Sequence, residues 1–290
     1  MAKKSLKFKK AKRPMSTKNK VKRVAENIIM ACLVIIMIYS ALRIFGIIHG
    51  YDKNQNVYDK ISEQSRDGKF TGDIDFDMLR QINPDIVGWI YYEDTYIDYP
   101  IVQGTDNDKY LNTMFDGSYG NFGTLFVDAE TEHAFKQFNT IVYGHHMKNG
   151  SMFAGLKELK DPNYCAKHPR LELITPEGKF HLQIKAFLNQ PSDSQIYVTN
   201  IHNLDERRDY LDMVERLANY TTNVQVSEKD RLVVLSTCAY EYNEARYMVI
   251  CKMTPWKGQN IDMSYDDDSS ESENADEVSA EGEELTEGYQ

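Results

Sequence analysis

Three short segments of this 290-residue chain hold side chains that could do chemistry together. In TIVYGHHMKNGSMF, residues 140–153, a strand-like run ends at Gly144 and presents His145 and His146. In RLVVLSTCAY, residues 231–240, an apolar run ends in Ser236-Thr237-Cys238. Arg246 opens the third, RYMVICKM. A thiol becomes a strong nucleophile as the thiolate, and a nearby imidazole or guanidinium stabilises that anion or carries its proton. Attack on an amide makes an oxyanion, for which Arg and backbone N–H groups are donors. The leaving amine needs a proton, which a charged imidazole supplies. If the second and third segments are antiparallel strands joined by a seven-residue loop, Cys238 and Arg246 share one rim of a sheet.

Taken alone, each piece has a plainer reading. A cysteine closing an apolar strand reads first as a small core residue. A histidine in a loop is ordinarily solvated or a structural hydrogen-bonder. Two adjacent histidines raise a metal question, but neighbours on a strand point to opposite faces, and neither HExxH nor paired CxxC occurs. No metal site and no cofactor are expected.

The elements that must position these residues read mainly as strands. From residue 87, GWIYY and YIDYPIV carry β-branched and aromatic residues, separated by Glu93-Asp94. Further strands are expected at 123–128, 139–143, 170–175, 179–189, 231–237 and 246–253. Helices are expected at 76–82, ended by Asn83-Pro84, at 152–159, and at 205–220, where Tyr210, Leu211, Val214, Leu217 and Ala218 recur at helical spacing. About eight short strands with few helices between them suggest a barrel or closed sheet rather than alternating βαβ units.

Charge is divided among three regions, so the net −10 describes none of them. Residues 1–23 carry eleven Lys or Arg and no acid, and residues 262–290 carry twelve Asp or Glu and no base. A basic cluster suggests phosphate binding, but an apolar run follows it. Residues 27–48 have Arg43 as their one charge. As a helix they span about 33 Å, enough to cross a hydrocarbon core of about 30 Å. The basic flank then marks the cytoplasmic side, and no nucleic-acid partner is expected. A cleaved signal peptide is disfavoured because Tyr39-Ser40-Ala41 is a poor cleavage site.

The expected organisation is a basic cytoplasmic segment at 1–23 and a transmembrane anchor in the bilayer at 24–48. A stalk with an N-terminal helix follows at 49–74, with a break at 67–72. A catalytic domain at 75–257 lies outside the membrane, and an acidic tail at 258–290 is too polar to bury a core. Of four cysteines, Cys32 falls in the apolar run, leaving Cys165, Cys238 and Cys251 beyond it. An odd number in an exported domain leaves one thiol free.

The ordered motifs resemble sortases, and more closely class B sortases. GWIYYEDTYIDYPIVQGTDNDKYL with GTLFVD looks like the family's early strands and loop, and YGHHMKNGSMF and LSTCAYEYNEAR look like its two catalytic segments. The likeness covers roughly residues 75–255. It implies an eight-stranded sortase-type β-barrel with a few helices and an N-terminal helical extension behind a membrane helix. It also implies a cysteine transpeptidase that cleaves the C-terminal sorting signal of surface proteins through an acyl-enzyme on Cys238. An amine of peptidoglycan or of a pilin lysine then resolves that intermediate. By position, His145 matches the catalytic histidine and Arg246 the arginine, with His146 a neighbour. Ser236, Thr237 and Tyr240 are candidate substrate contacts, and Glu241 is a weak candidate for a third catalytic member. Two other readings use the same residues differently: a thiol hydrolase with water as acceptor, and a non-enzymatic surface adhesin with a cation-binding acidic tail.

Overall fold

The computed structural model describes residues 17–65, 73–239, 244–261 and 263. The chain divides into two compact units, Met1–Lys53 and Asn54–Gln290. Helix α1, Thr17–Ser65, is continuous where the sequence suggested an anchor followed by a separate short helix. Its Val21–Ile48 stretch is long and apolar enough to cross a membrane, with its large apolar side chains exposed. The break expected at 67–72 lies outside the described residues.

In the second unit, the end of α1 buries Tyr58 and Ile61 against the strands. The Tyr58 hydroxyl donates to the Gly123 carbonyl, and its ring stands edge-on to Tyr99 at 5.1 Å. Gly123 has φ +57°, and a Cβ there would lie 2.2 Å from the Tyr110 carbonyl oxygen. Only glycine fits that approach. A short helix α2, Phe76–Ile82, follows, capped by the Asp75 side chain on the Met78 N–H.

Among the described residues, nine strands form one sheet: β1 Ile86–Tyr91, β2 Asp98–Gln103, β3 Leu125–Val127, β4 Asn139–Tyr143, β5 Arg170–Thr175, β6 Gly178–Pro191, β7 Tyr220–Thr221, β8 Arg231–Cys238 and β9 Ala245–Pro255. Their order is β5-β1-β2-β3-β4-β8-β9-β6, and β5 pairs with β6 to close an eight-stranded barrel. The two-residue β7 adds outside β6. The pairs β2–β3 and β4–β8 are parallel, and the others antiparallel.

Along β8, Leu232 and Val234 join Ile141 of β4 and Met248 and Ile250 of β9 in an apolar cluster. Helix α4, Leu204–Leu217, covers that cluster with Tyr210 and Val214. Strand alternation sends Val233, Leu235, Val249 and Cys251 to the opposite face, into the barrel. Burial on both faces explains why β8 reads as a nearly unbroken apolar run.

Several elements differ from expectation. The segment Phe153–Lys160 is a 3-10 helix, and α3, Pro162–Lys167, has no counterpart among the expected helices. Its signal is Asp161-Pro162: the Asp161 side chain accepts from the Asn163 N–H, and proline suits the first helical turn. Helix α4 stops at Leu217 because Tyr220 pairs with Phe187 in β7–β6 and its hydroxyl donates to the Leu159 carbonyl at 2.6 Å.

Candidate active site

The strand ends that carry the three chemical segments meet at one rim of the barrel. In parallel register, Tyr143 of β4 lies beside Ser236 of β8, and the Gly144 N–H extends the ladder to the Ser236 carbonyl at 3.1 Å. In antiparallel register, Cys238 of β8 faces Arg246 of β9. The next residues, Ala239 and Ala245, share a hydrogen bond of 2.8 Å. The alternation of an antiparallel ladder therefore makes Cys238 and Arg246 a non-hydrogen-bonded pair, the kind with Cα atoms only about 4.5 Å apart and side chains close. Both continue the face that carries the apolar cluster beneath α4, two residues beyond Ser236 and before Met248.

A cleft of about 400 Å³ opens on that face. His145, Cys238 and Arg246 all line it, as does Ser236. Its volume falls in the range of about 300–1,000 Å³ usual for ligand sites. Cys238 is half-buried, with its thiol unpaired to another sulfur. The loop between β8 and β9 is six residues rather than seven, and its Tyr240 and Glu241 lie outside the described residues. Thr237 also borders the cleft, but alternation turns its side chain toward the barrel. Its buried hydroxyl has no hydrogen-bond partner among the described residues.

His145 is held from two sides. Its carbonyl accepts from the Phe153 N–H at 2.9 Å, and its Nε2 lies 2.7 Å from the Leu111 carbonyl oxygen. A carbonyl only accepts, so in the neutral ring Nε2 carries the proton and Nδ1 keeps the lone pair. That is the arrangement of a base. Gly144 permits it: a Cβ there would lie 2.4 Å from the Leu125 side chain and 2.6 Å from the Phe153 ring. Leu111 ends a 3-10 turn, Lys109–Leu111, which is itself tied to the start of the barrel. Tyr110 donates to Asp85 at 2.6 Å, and Lys109 pairs with the same carboxylate at 2.7 Å. Partial burial works to raise the Asp85 pKa, but these two donors hold it below the usual carboxylate value.

Arg246 is partly buried, and its guanidinium contacts Glu244 at 3.3 Å and the Ala245 carbonyl at 3.1 Å. Opposite, the loop at 192–203 supplies Ser192 and Tyr197. Asn139 on the Val198 carbonyl and Tyr210 on the Ile196 carbonyl pin that loop at 2.6 and 3.1 Å. The Tyr197 hydroxyl meets Ser236 Oγ at 2.8 Å. Burial raises the Tyr197 pKa, and the Ser236 contact and the Arg246 charge offset part of that rise. Tyr143 donates to Asp128 at 2.8 Å, and Asn107 donates to the same oxygen at 3.2 Å.

Sequence reasoning does not find Asn107, Leu111, Phe126, Tyr143 and Tyr197 as cleft residues. Asn107, Leu111 and Tyr197 lie outside the strands, where no periodicity marks them. Helix α4 contributes no lining residue and instead covers the apolar cluster that continues from the cleft face.

A sortase-domain family profile matches residues 90–254. Sortase B of Listeria monocytogenes is 37% identical over 177 residues, which cover 60% of this chain and 72% of that protein. A solved Staphylococcus aureus sortase B–substrate complex aligns with TM-score 0.58 and 33% identity, over 62% of this chain and 84% of that one. A solved sortase B complexed with triglycine gives TM-score 0.57 and 34% identity over 62% and 85%. With the barrel, its strand order and these matches together, the chain belongs to the sortase family and is a class B sortase.

Proposed function

We propose that this transpeptidase cuts the C-terminal sorting signal of surface proteins using Cys238 as nucleophile, His145 as proton carrier and Arg246 as oxyanion and substrate clamp. The observation that carries this reading is the convergence of the three side chains on one cleft, from three neighbouring strands. The Cys238 sulfur attacks the scissile carbonyl, and the thiol proton passes by way of His145 to the departing amine as the C–N bond breaks. The resulting thioester is attacked by an acceptor amine. A new amide forms, the S–C bond breaks, and the proton returns to sulfur. Arg246 offers a planar fork of donors to the oxyanion at both stages. Ser236 and Thr237, which border the cleft, are the proposed substrate contacts, with Tyr240 as a third.

The acceptor is an amine of the peptidoglycan cross-bridge or of a pilin lysine. The sortase B relatives solved with substrate and with triglycine support a cleft that takes both a peptide and an amine. Residues 24–48 anchor the chain in the cell membrane, with 1–23 in the cytoplasm and the barrel outside. The supports are the apolar helix and the eleven basic residues before its core.

The test is incubation of the full chain in detergent with a sorting-signal peptide library, with and without triglycine. A thioester on Cys238 by intact mass, and product formation accelerated by the amine, are the expected results. Turnover at equal rate without amine would instead make the protein a hydrolase, and an undiminished rate in Cys238→Ala would end the proposal.

A further inference from the structure

His146 sits next to the proposed proton carrier, yet its ring is turned to another task. In a parallel ladder, backbone N–H groups of alternate residues on one strand bond carbonyls of alternate residues on the other. On β4 and beyond, the Gly144 N–H bonds the Ser236 carbonyl at 3.1 Å. The next bond in that series would run from the His146 N–H to the Cys238 carbonyl. The main chain leaves the ladder there: His146 instead forms a bridge with Met152, closing the loop that the Gly150 turn reverses. The ring takes the place of that main-chain bond. His146 Nδ1 lies 2.8 Å from the Cys238 carbonyl oxygen.

We propose that His146 is a positioning residue, whose Nδ1–H replaces the next ladder bond and fixes the main chain of Cys238 relative to His145. Three observations favour positioning over a share in the proton transfer. The Cys238 carbonyl can only accept, so Nδ1 holds its proton in both the neutral and the charged ring, and His146 is not among the residues lining the cleft that holds His145 and Cys238. The ring leans toward Tyr247, with centroids 6.1 Å apart, and Tyr247 lies on the strand face opposite to that of Arg246. And because Cys238 and Arg246 form a non-hydrogen-bonded pair, the Cys238 carbonyl points away from β9 toward β4, where this ring meets it. The two adjacent histidines therefore take opposite tautomers for different purposes: His145 bonds through Nε2 and leaves Nδ1 with its lone pair, and His146 bonds through Nδ1.

The inference deepens the assignment of Cys238 as nucleophile and rests on it. The experiment compares wild type, His146→Ala and His146→Asn in the full chain, because the Asn Nδ2 can occupy the place of the imidazole Nδ1. Two quantities are read: kcat and KM for peptide cleavage, and the pH profile of Cys238 alkylation by iodoacetamide, which needs no substrate. The Ala variant should lose about tenfold or more in kcat with KM little changed, since a shift of about 1 Å in a reacting group costs up to about 10²-fold. Its alkylation profile should move, and Asn should restore both. Thermal melts establish that each variant is folded. Ala at the wild-type rate with an unmoved profile, or Asn no better than Ala while equally folded, would overturn the inference. A wild-type chain that forms no thioester on Cys238 would instead remove the assignment beneath it.

Discussion

Cys238 and Cys251 lie on adjacent strands of one sheet and carry the same functional group, but the barrel gives them opposite surroundings. Cys238 ends β8 at the rim, on the outward face, half-buried in a cleft with an imidazole and a guanidinium. Cys251 lies in the middle of β9, paired with Val233 and pointing into the barrel. Burial pushes its thiol far above the ordinary range, with nearby Cys165 adding to the shift. Cys165, in α3, is also raised by burial, although its contact with the Tyr220 hydroxyl lowers it in part. The surroundings of each thiol are thus set by its place in the fold and its depth rather than by residue type.

The sharpest way to break the contrast is to remove each thiol. Cys238→Ala should form no acyl adduct by mass spectrometry, whereas Cys251→Ala should acylate within a few-fold of wild type. A silent Cys251→Ala protein with an intact fold would mean that the inner thiol matters to the chemistry. Next in size, His145→Ala should slow acylation by about 10²–10⁴-fold, the usual worth of a positioned acid–base group. Arg246→Lys should cost roughly 10²-fold, because a point charge cannot reproduce the guanidinium fork. Stopped-flow acylation with a fluorogenic peptide measures both.

The smallest effects concern stability. Cys251→Ala should cost about 1 kcal/mol in urea unfolding, the typical loss for a buried substitution. It should also change the response to alkali. The unfolded chain releases a cysteine proton near about pH 8.5, and the folded barrel keeps that of Cys251 well above this. The folded state then binds the extra proton, so stability is intact below about pH 8.5 and falls as pH rises toward the folded value. Wild type should lose more stability than Cys251→Ala between about pH 8 and about pH 10. Equal losses would show that other groups, such as the buried tyrosines, carry the alkaline sensitivity.

How far the sequence reached depended on whether a signal was local. Each of the eight barrel strands is visible as a β-branched or aromatic run, and Gly144-His145 and Cys238 are visible as strand ends. The parallel pairing of β4 with β8 is not, because nothing in either run names a partner some ninety residues away. The cleft walls are equally hidden. Tyr197 and Asn107 acquire their place from hydrogen bonds made by Ser236 and Asp128, which no spacing rule encodes. The resemblance to sortases supplied what local pattern could not: which histidine, cysteine and arginine belong together.

The parallel contact between β4 and β8 also bears on how the protein comes into being. Strand β8 enters the sheet between β4 and β9, with its neighbour β4 far behind it in the chain. Contacts of such long sequence separation carry a loop-closure cost before they return any stabilisation, and they form slowly. If residues 24–48 anchor the chain as proposed, the segment after them would emerge with His145 well ahead of Cys238. Its thiol would meet its imidazole only when the barrel closes. On the proposed assignment, folding and activation would be a single event, and a half-made molecule would carry no armed nucleophile.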